Sequence, residues 1–138
     1  MSVRLEQGDV QSFLERFIRF EDGVITGVHL HLPRVPASDR TVSVDIQAMD
    51  ASAGNEWRLV RLTVKGIEEY RFVSSRKYSY TVLSDGLNLD CSSGRCVVDL
   101  DPGPDEWSPQ NIAQVGEYSK QYLVGLYCEY EVLNGPFI

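Results

Sequence analysis

With 138 residues, 43% of them apolar and 24% charged, the chain has the length and composition of one globular domain with a single core and no internal linker. Twenty acidic residues against thirteen basic ones leave a formal charge of −7. That balance excludes a nucleic-acid surface, which needs clustered positive charge, and leaves plain solubility or a basic protein partner as its meaning.

The opening MSVRLEQGDVQS lacks the apolar core of a signal peptide, and no later segment approaches the ~20 apolar residues of a membrane span. The expectation is a cytoplasmic protein with no membrane partner. Behind Asp9, a residue type that caps helices, Val10, Phe13, Leu14, Phe17 and Ile18 recur at helical spacing. This predicts a helix over 10–19 whose apolar stripe is laid against a sheet. Glu21-Asp22-Gly23 then supplies a turn. Residues 24–32 read as a strand, with Val24, Val28, Leu30 and Leu32 on one side and Gly27, His29 and His31 on the other. Pro33 and Pro36 end it.

From Arg40, Val42, Val44, Ile46 and Ala48 alternate with Ser43, Asp45 and Gln47, and the small polar residues 50–55 form a hairpin connection into Trp57. The following strand sets Val60, Leu62 and Val64 against Arg61, Thr63 and Lys65. One face is apolar and the other charged, as in an antiparallel sheet with one wet side. Gly66 breaks that run, and residues 67–73 form the next strand. The fold expected from this pattern is mainly β: an antiparallel sandwich or half-barrel with one N-terminal helix.

Residues 80–83, 87–91 and 96–100 are short apolar runs separated by Asp85-Gly86 and Ser93-Gly94, which predicts a meander of sequentially paired strands. Residues 101–110, with three prolines, are a loop with room for a helical turn near 108–112. A long last strand over 117–133, bulged at Gly125, places Tyr122, Val124, Leu126, Cys128 and Tyr130 on one side and Tyr127 on the other.

Few residues carry chemistry. His29 and His31 share a strand face, a metal-site spacing, but two ligands are too few and solvent-facing histidines are the simpler reading. No metal or cofactor is expected. Cys91 and Cys96 flank a tight turn and fall opposite each other, close enough to bridge if oxidised. Three cysteines without a secretory signal instead predict free thiols. Glu68 and Glu69 point to opposite faces and cannot share a proton. Nucleophile elbows, triads and glycine-rich phosphate loops do not occur as motifs, so the expectation is a protein that is not an enzyme.

Asp99, Asp101, Asp105 and Glu106 form an acidic cluster whose spacing is unlike a calcium loop, hence a solvated loop. Trp107 beside them is either an interface anchor or a lid folded on the core. These five residues are the candidate binding surface, for a basic protein. The alternative is a small-molecule-binding barrel or sandwich with Tyr70, Tyr78, Tyr80, Tyr118, Tyr122, Tyr127 and Tyr130 lining a pocket.

Three stretches carry a resemblance: Phe20-Glu21-Asp22-Gly23-Val24-Ile25, the run from Val60 through Lys65-Gly66-Ile67, and Leu83-Ser84-Asp85-Gly86-Leu87. Their order and spacing, over residues 20–100, resemble small, mostly β bacterial proteins described as immunity proteins of polymorphic toxin systems or as domains of unknown function. Glu21 departs from the histidine that such proteins more often carry. The resemblance implies a non-enzymatic protein that binds one toxin and blocks it.

Overall fold

The structure, a computed structural model, describes residues 2–74, 76, 81–103 and 112–133. Its strands form two antiparallel sheets. The larger runs in the order β1 (Val3–Leu5), β10 (Tyr127–Leu133), β4 (Glu56–Lys65), β3 (Thr41–Asp50), β2 (Gly23–His31) and β6 (Val82–Leu83). The smaller runs β5 (Glu69–Arg71), β9 (Tyr122–Gly125), β8 (Cys96–Asp99) and β7 (Asn88–Asp90). Both sheets are open, so the mainly β, sandwich-like expectation holds and a closed barrel does not form among the described residues.

The period-two pattern of β3 and β4 becomes the centre of the larger sheet. Val44 stands opposite Leu62 and Ile46 opposite Val60, and all four are fully buried. Each such side chain contributes roughly 1.5–3 kcal/mol by leaving water. Leu89, Val98 and Leu123 of the smaller sheet join the same core, so the two sheets share one interior. A satellite cluster of Val97, Val115, Tyr122 and Val124 lies on the smaller sheet's other side, beneath α2 (Val115–Tyr118).

The predicted helix is shorter than its apolar stripe. α1 covers Val10–Arg16, and a 3-10 turn follows at Ile18–Phe20. Ile18, Arg19 and Phe20 all have positive φ, near 54°, 55° and 59°. Unwinding lets Phe13, Phe17 and Phe20 converge, with centroid distances of 5.4–5.5 Å, which a continuous helix spaced three and four apart would also bring to one side but not turn into β2. Asp9 does not cap α1 with its side chain; its carboxylate accepts the Glu6 backbone N–H at 3.0 Å instead.

Four connections differ from the sequence expectation. A bulge at Thr26 shifts the register between Ile25 and Gly27, so Ile25 faces the core beside Ile46 while Val24 stands opposite Gln47 on the outer face. The 67–73 segment yields β5, which pairs with β9 in the smaller sheet rather than extending the larger. β6 pairs with β2 and not with β7, so the meander is broken although β7 and β8 do form a hairpin. The long last strand is two strands in different sheets, β9 and β10, separated at Leu126. The three-residue β1 is too short to carry a period-two pattern in the sequence. Residues 108–111 of the expected helical turn lie outside the described residues.

Candidate functional site

β8 is an inner strand of the smaller sheet, flanked by β9 and β7, and it ends on Asp99 between Tyr122 and Asn88. Its side chain is fully buried, not solvated as the sequence suggested. Charge was a poor guide because the carboxylate is met by donors from a segment twenty residues away. Ser119 Oγ donates to Oδ1 at 2.7 Å, the Asp101 backbone N–H donates to the same oxygen at 2.9 Å, and Tyr118 Oη donates to Oδ2 at 2.8 Å. Burial pushes the Asp99 carboxyl above its ordinary range, while these three donors and chiefly Ser119 pull the other way.

Asp99 therefore acts as a peg that fixes the start of the acidic segment. The Leu100 N–H donates to the Gln121 carbonyl at 2.9 Å, and Asp101 accepts the Lys120 N–H at 3.2 Å. Asp101 stands half-exposed beside a cleft of about 160 Å³ lined also by Ser84, Asp85, Gly86, Pro102 and Gln121. Asp85 thus joins Asp101 at one rim. In sequence, Asp85-Gly86 registers only as turn chemistry, and nothing local signals that it shares a cleft with residue 101. Asp105, Glu106 and Trp107 lie outside the described residues.

A second polar constellation covers the outer face of the larger sheet. Arg61 donates from Nε and Nη2 to the two Asp45 oxygens at 2.7 and 2.9 Å, and His29 Nε2 lies 3.1 Å from Asp45 Oδ2. Burial raises the Asp45 carboxyl, but the donors Arg61 and His29 more than offset it and leave the group below its usual value. Gly27 stands opposite Asp45 and offers no side chain between it and His29. Ser43 and Thr63 share a 2.8 Å hydroxyl hydrogen bond in the next row, and Lys65 lies 3.4 Å from Glu129. His29 and His31 do occupy one exposed face, as read from the strand pattern. Among the described residues, groups of three or more His, Cys, Asp or Glu side chains able to hold a metal do not occur.

The described tyrosines line no common pocket. Tyr122 is buried in the satellite cluster, Tyr130 packs on Phe13 at 4.7 Å, Tyr127 lies beneath Arg4 and Tyr70 is exposed on β5. Tyr78 and Tyr80 lie outside the described residues. Tyr130 borders a cleft of about 320 Å³ with Val3, Leu5, Phe13 and Arg16. The thiol expectation also changes: Cys91 and Cys96 are joined by a disulfide and only Cys128 is free. Among the described residues, no helix is long and apolar enough to cross a membrane. No protein-family model, no curated protein and no solved structure matches the chain.

Proposed function

We propose that the chain is a non-enzymatic protein-binding module whose acidic end takes a basic protein, and that, as the resemblance to immunity-type proteins implies, this partner is a toxin that it blocks in the bacterial cytoplasm. What supports the reading is the buried Asp99 peg. Three donors fix one acid so that its neighbour Asp101 is presented beside Asp85 from a rigid stem rather than a wandering loop. Loops on rigid β scaffolds are where binding groups concentrate, and rim acids accelerate encounter with a cationic surface.

The test is capture of a partner with the full chain, followed by binding kinetics. Neutralising Asp101 and Asp85 should slow association and flatten its salt dependence, and Trp107→Ala should raise the dissociation rate at a cost of about 2 kcal/mol. Association that ignores both acids and salt would remove the proposed surface. A small-molecule reading has one specific observation behind it, the Tyr130 and Arg16 cleft, and would be favoured if a metabolite raised the melting temperature of the parent but not of Tyr130→Ala.

A further inference from the structure

The geometry points to Cys91 as a thiol-exchange site: a low-molecular-weight thiol attacks its sulfur, and Cys96 is the buried thiol that leaves and later resolves the adduct. The pairing of Asp90 with Val97 sets the two cysteines directly opposite each other, with Cα atoms 4.2 Å apart. Two residues further along the same strands, Leu89 and Val98 are opposed in the core, so both sulfurs lie on the core side.

Their surroundings differ. Cys96 is 2% exposed and belongs to the core, whereas Cys91 is half-buried at the mouth of a hairpin whose loop, Ser92-Ser93-Gly94-Arg95, is exposed throughout. An incoming thiolate must approach one sulfur along the disulfide axis, and access decides which sulfur is attacked. Gln7 Oε1 accepts the Cys91 N–H at 2.6 Å, which holds that residue against the N-terminal 3-10 turn independently of the cross-link. The strands are already paired from Asn88 with Asp99 to Asp90 with Val97, so cleavage leaves the hairpin standing and the bond can re-form.

A thiolate forms a bond to Cys91 Sγ and breaks the Sγ–Sγ bond, and the electron pair leaves on Cys96 Sγ, which takes a proton. A second thiolate then attacks the small molecule's sulfur and releases Cys91. Two small thiols are oxidised to one disulfide, and the protein disulfide is reduced to two thiols. In reverse, the Cys96 thiolate attacks Cys91 Sγ of the mixed disulfide, the bond to the small molecule's sulfur breaks, and the small thiolate leaves as the bridge re-forms. Cys128 takes no part, because it is fully buried on β10 of the larger sheet, where an incoming small thiol does not reach it, whereas Cys96 needs only to reach the Cys91 sulfur opposite it.

Glutathione is the probe. Oxidised full-length protein is incubated with it, acid-quenched, alkylated and cut with trypsin, which cleaves after Arg95 and puts the two cysteines on separate peptides. The expected adduct lies on the Cys91 peptide; glutathione on Cys96, or equally on both, would overturn the assignment. In single variants, oxidised glutathione should modify Cys91 in Cys96→Ser at least tenfold faster than Cys96 in Cys91→Ser, and equal rates would overturn it as well. The wild-type mapping stands even if a variant folds poorly. Three alkylatable thiols in air-oxidised protein would mean that the bridge does not form and would end the proposal.

Discussion

Asp50, at the end of β3, receives Nε and Nη2 of Arg16 at 3.1 and 3.0 Å and so ties α1 to the β3–β4 hairpin. The same carboxylate accepts the Ser52 N–H at 2.9 Å and its hydroxyl at 2.6 Å, while Arg16 Nη1 reaches the Tyr130 hydroxyl at 3.4 Å. The Asp50 side chain is 3% exposed and that of Arg16 35%, so removing the arginine leaves a buried acid with fewer donors. Arg16→Met should therefore destabilise by about 3 kcal/mol, and Asp50→Ala by a similar amount, in denaturant melts. A loss below about 1 kcal/mol would show the pair to be no stronger than a surface ion pair.

That pair sets a pH window. The hydrogen bond from Arg16 holds the Asp50 carboxyl at about 2, against an ordinary 3.8. The folded value is depressed, so the stabilisation is fully present above about 4 and is lost as pH falls through about 2. A shift of that size corresponds to about 2 kcal/mol. Acid unfolding of Asp50→Asn should lack this component, so its stability should converge on that of the parent as pH falls. A constant gap between them down to about pH 2 would contradict the linkage.

How far residues reveal structure depends here on range. The alternation of Val42, Val44 and Ile46 and of Val60, Leu62 and Val64 was enough to find β3, β4 and their wet outer face, because period two is a local property. Gly66 and Gly125 were legible as breaks, but a break does not say which sheet the chain enters next. Both are crossings: the Glu68 N–H donates to the Val124 carbonyl at 2.8 Å, and the Leu126 N–H to the Lys65 carbonyl at 2.9 Å. The site was half legible. His29, Asp45 and Arg61 each fall on the polar side of a strand pattern, yet their meeting depends on a register that a bulge at Thr26 adjusts. The burial of Asp99 is not legible locally, because its donors Tyr118 and Ser119 come from another element.

Asp99 gives a prediction of opposite sign. Burial raises its carboxyl above the ordinary 3.8, so the folded state binds the proton more tightly than the unfolded state does. Stability contributed by this group is therefore present at low pH and falls as pH rises through that window. Asn at this site keeps an acceptor for Ser119 and the Asp101 amide without the ionisation. The stability of the parent minus that of Asp99→Asn should decrease as pH is raised from about 4 towards neutrality, whereas Asp99→Ala should lose about 2 kcal/mol by orphaning buried donors. A difference curve that is flat or rises with pH would contradict the raised value.

The crossing at Gly125 can be tested by a single methyl group. A Cβ built on Gly125 would lie 2.5 Å from Val64 Cγ1, 3.0 Å from the Lys65 carbonyl oxygen and 3.1 Å from that of Gly66. Val64 is fully buried and its neighbours here are backbone, so neither side can yield without moving the end of β4. Gly125→Ala should cost on the order of 2 kcal/mol through overpacking. Trimming the opposing residue supplies the control. Val64→Ala alone should lose about 1–3 kcal/mol through its cavity, but combined with Gly125→Ala the loss should be less than additive, because one change removes the methyl that the other collides with. Strict additivity in denaturant melts would mean that the two residues do not meet, and that the passage from β9 to β10 lies elsewhere.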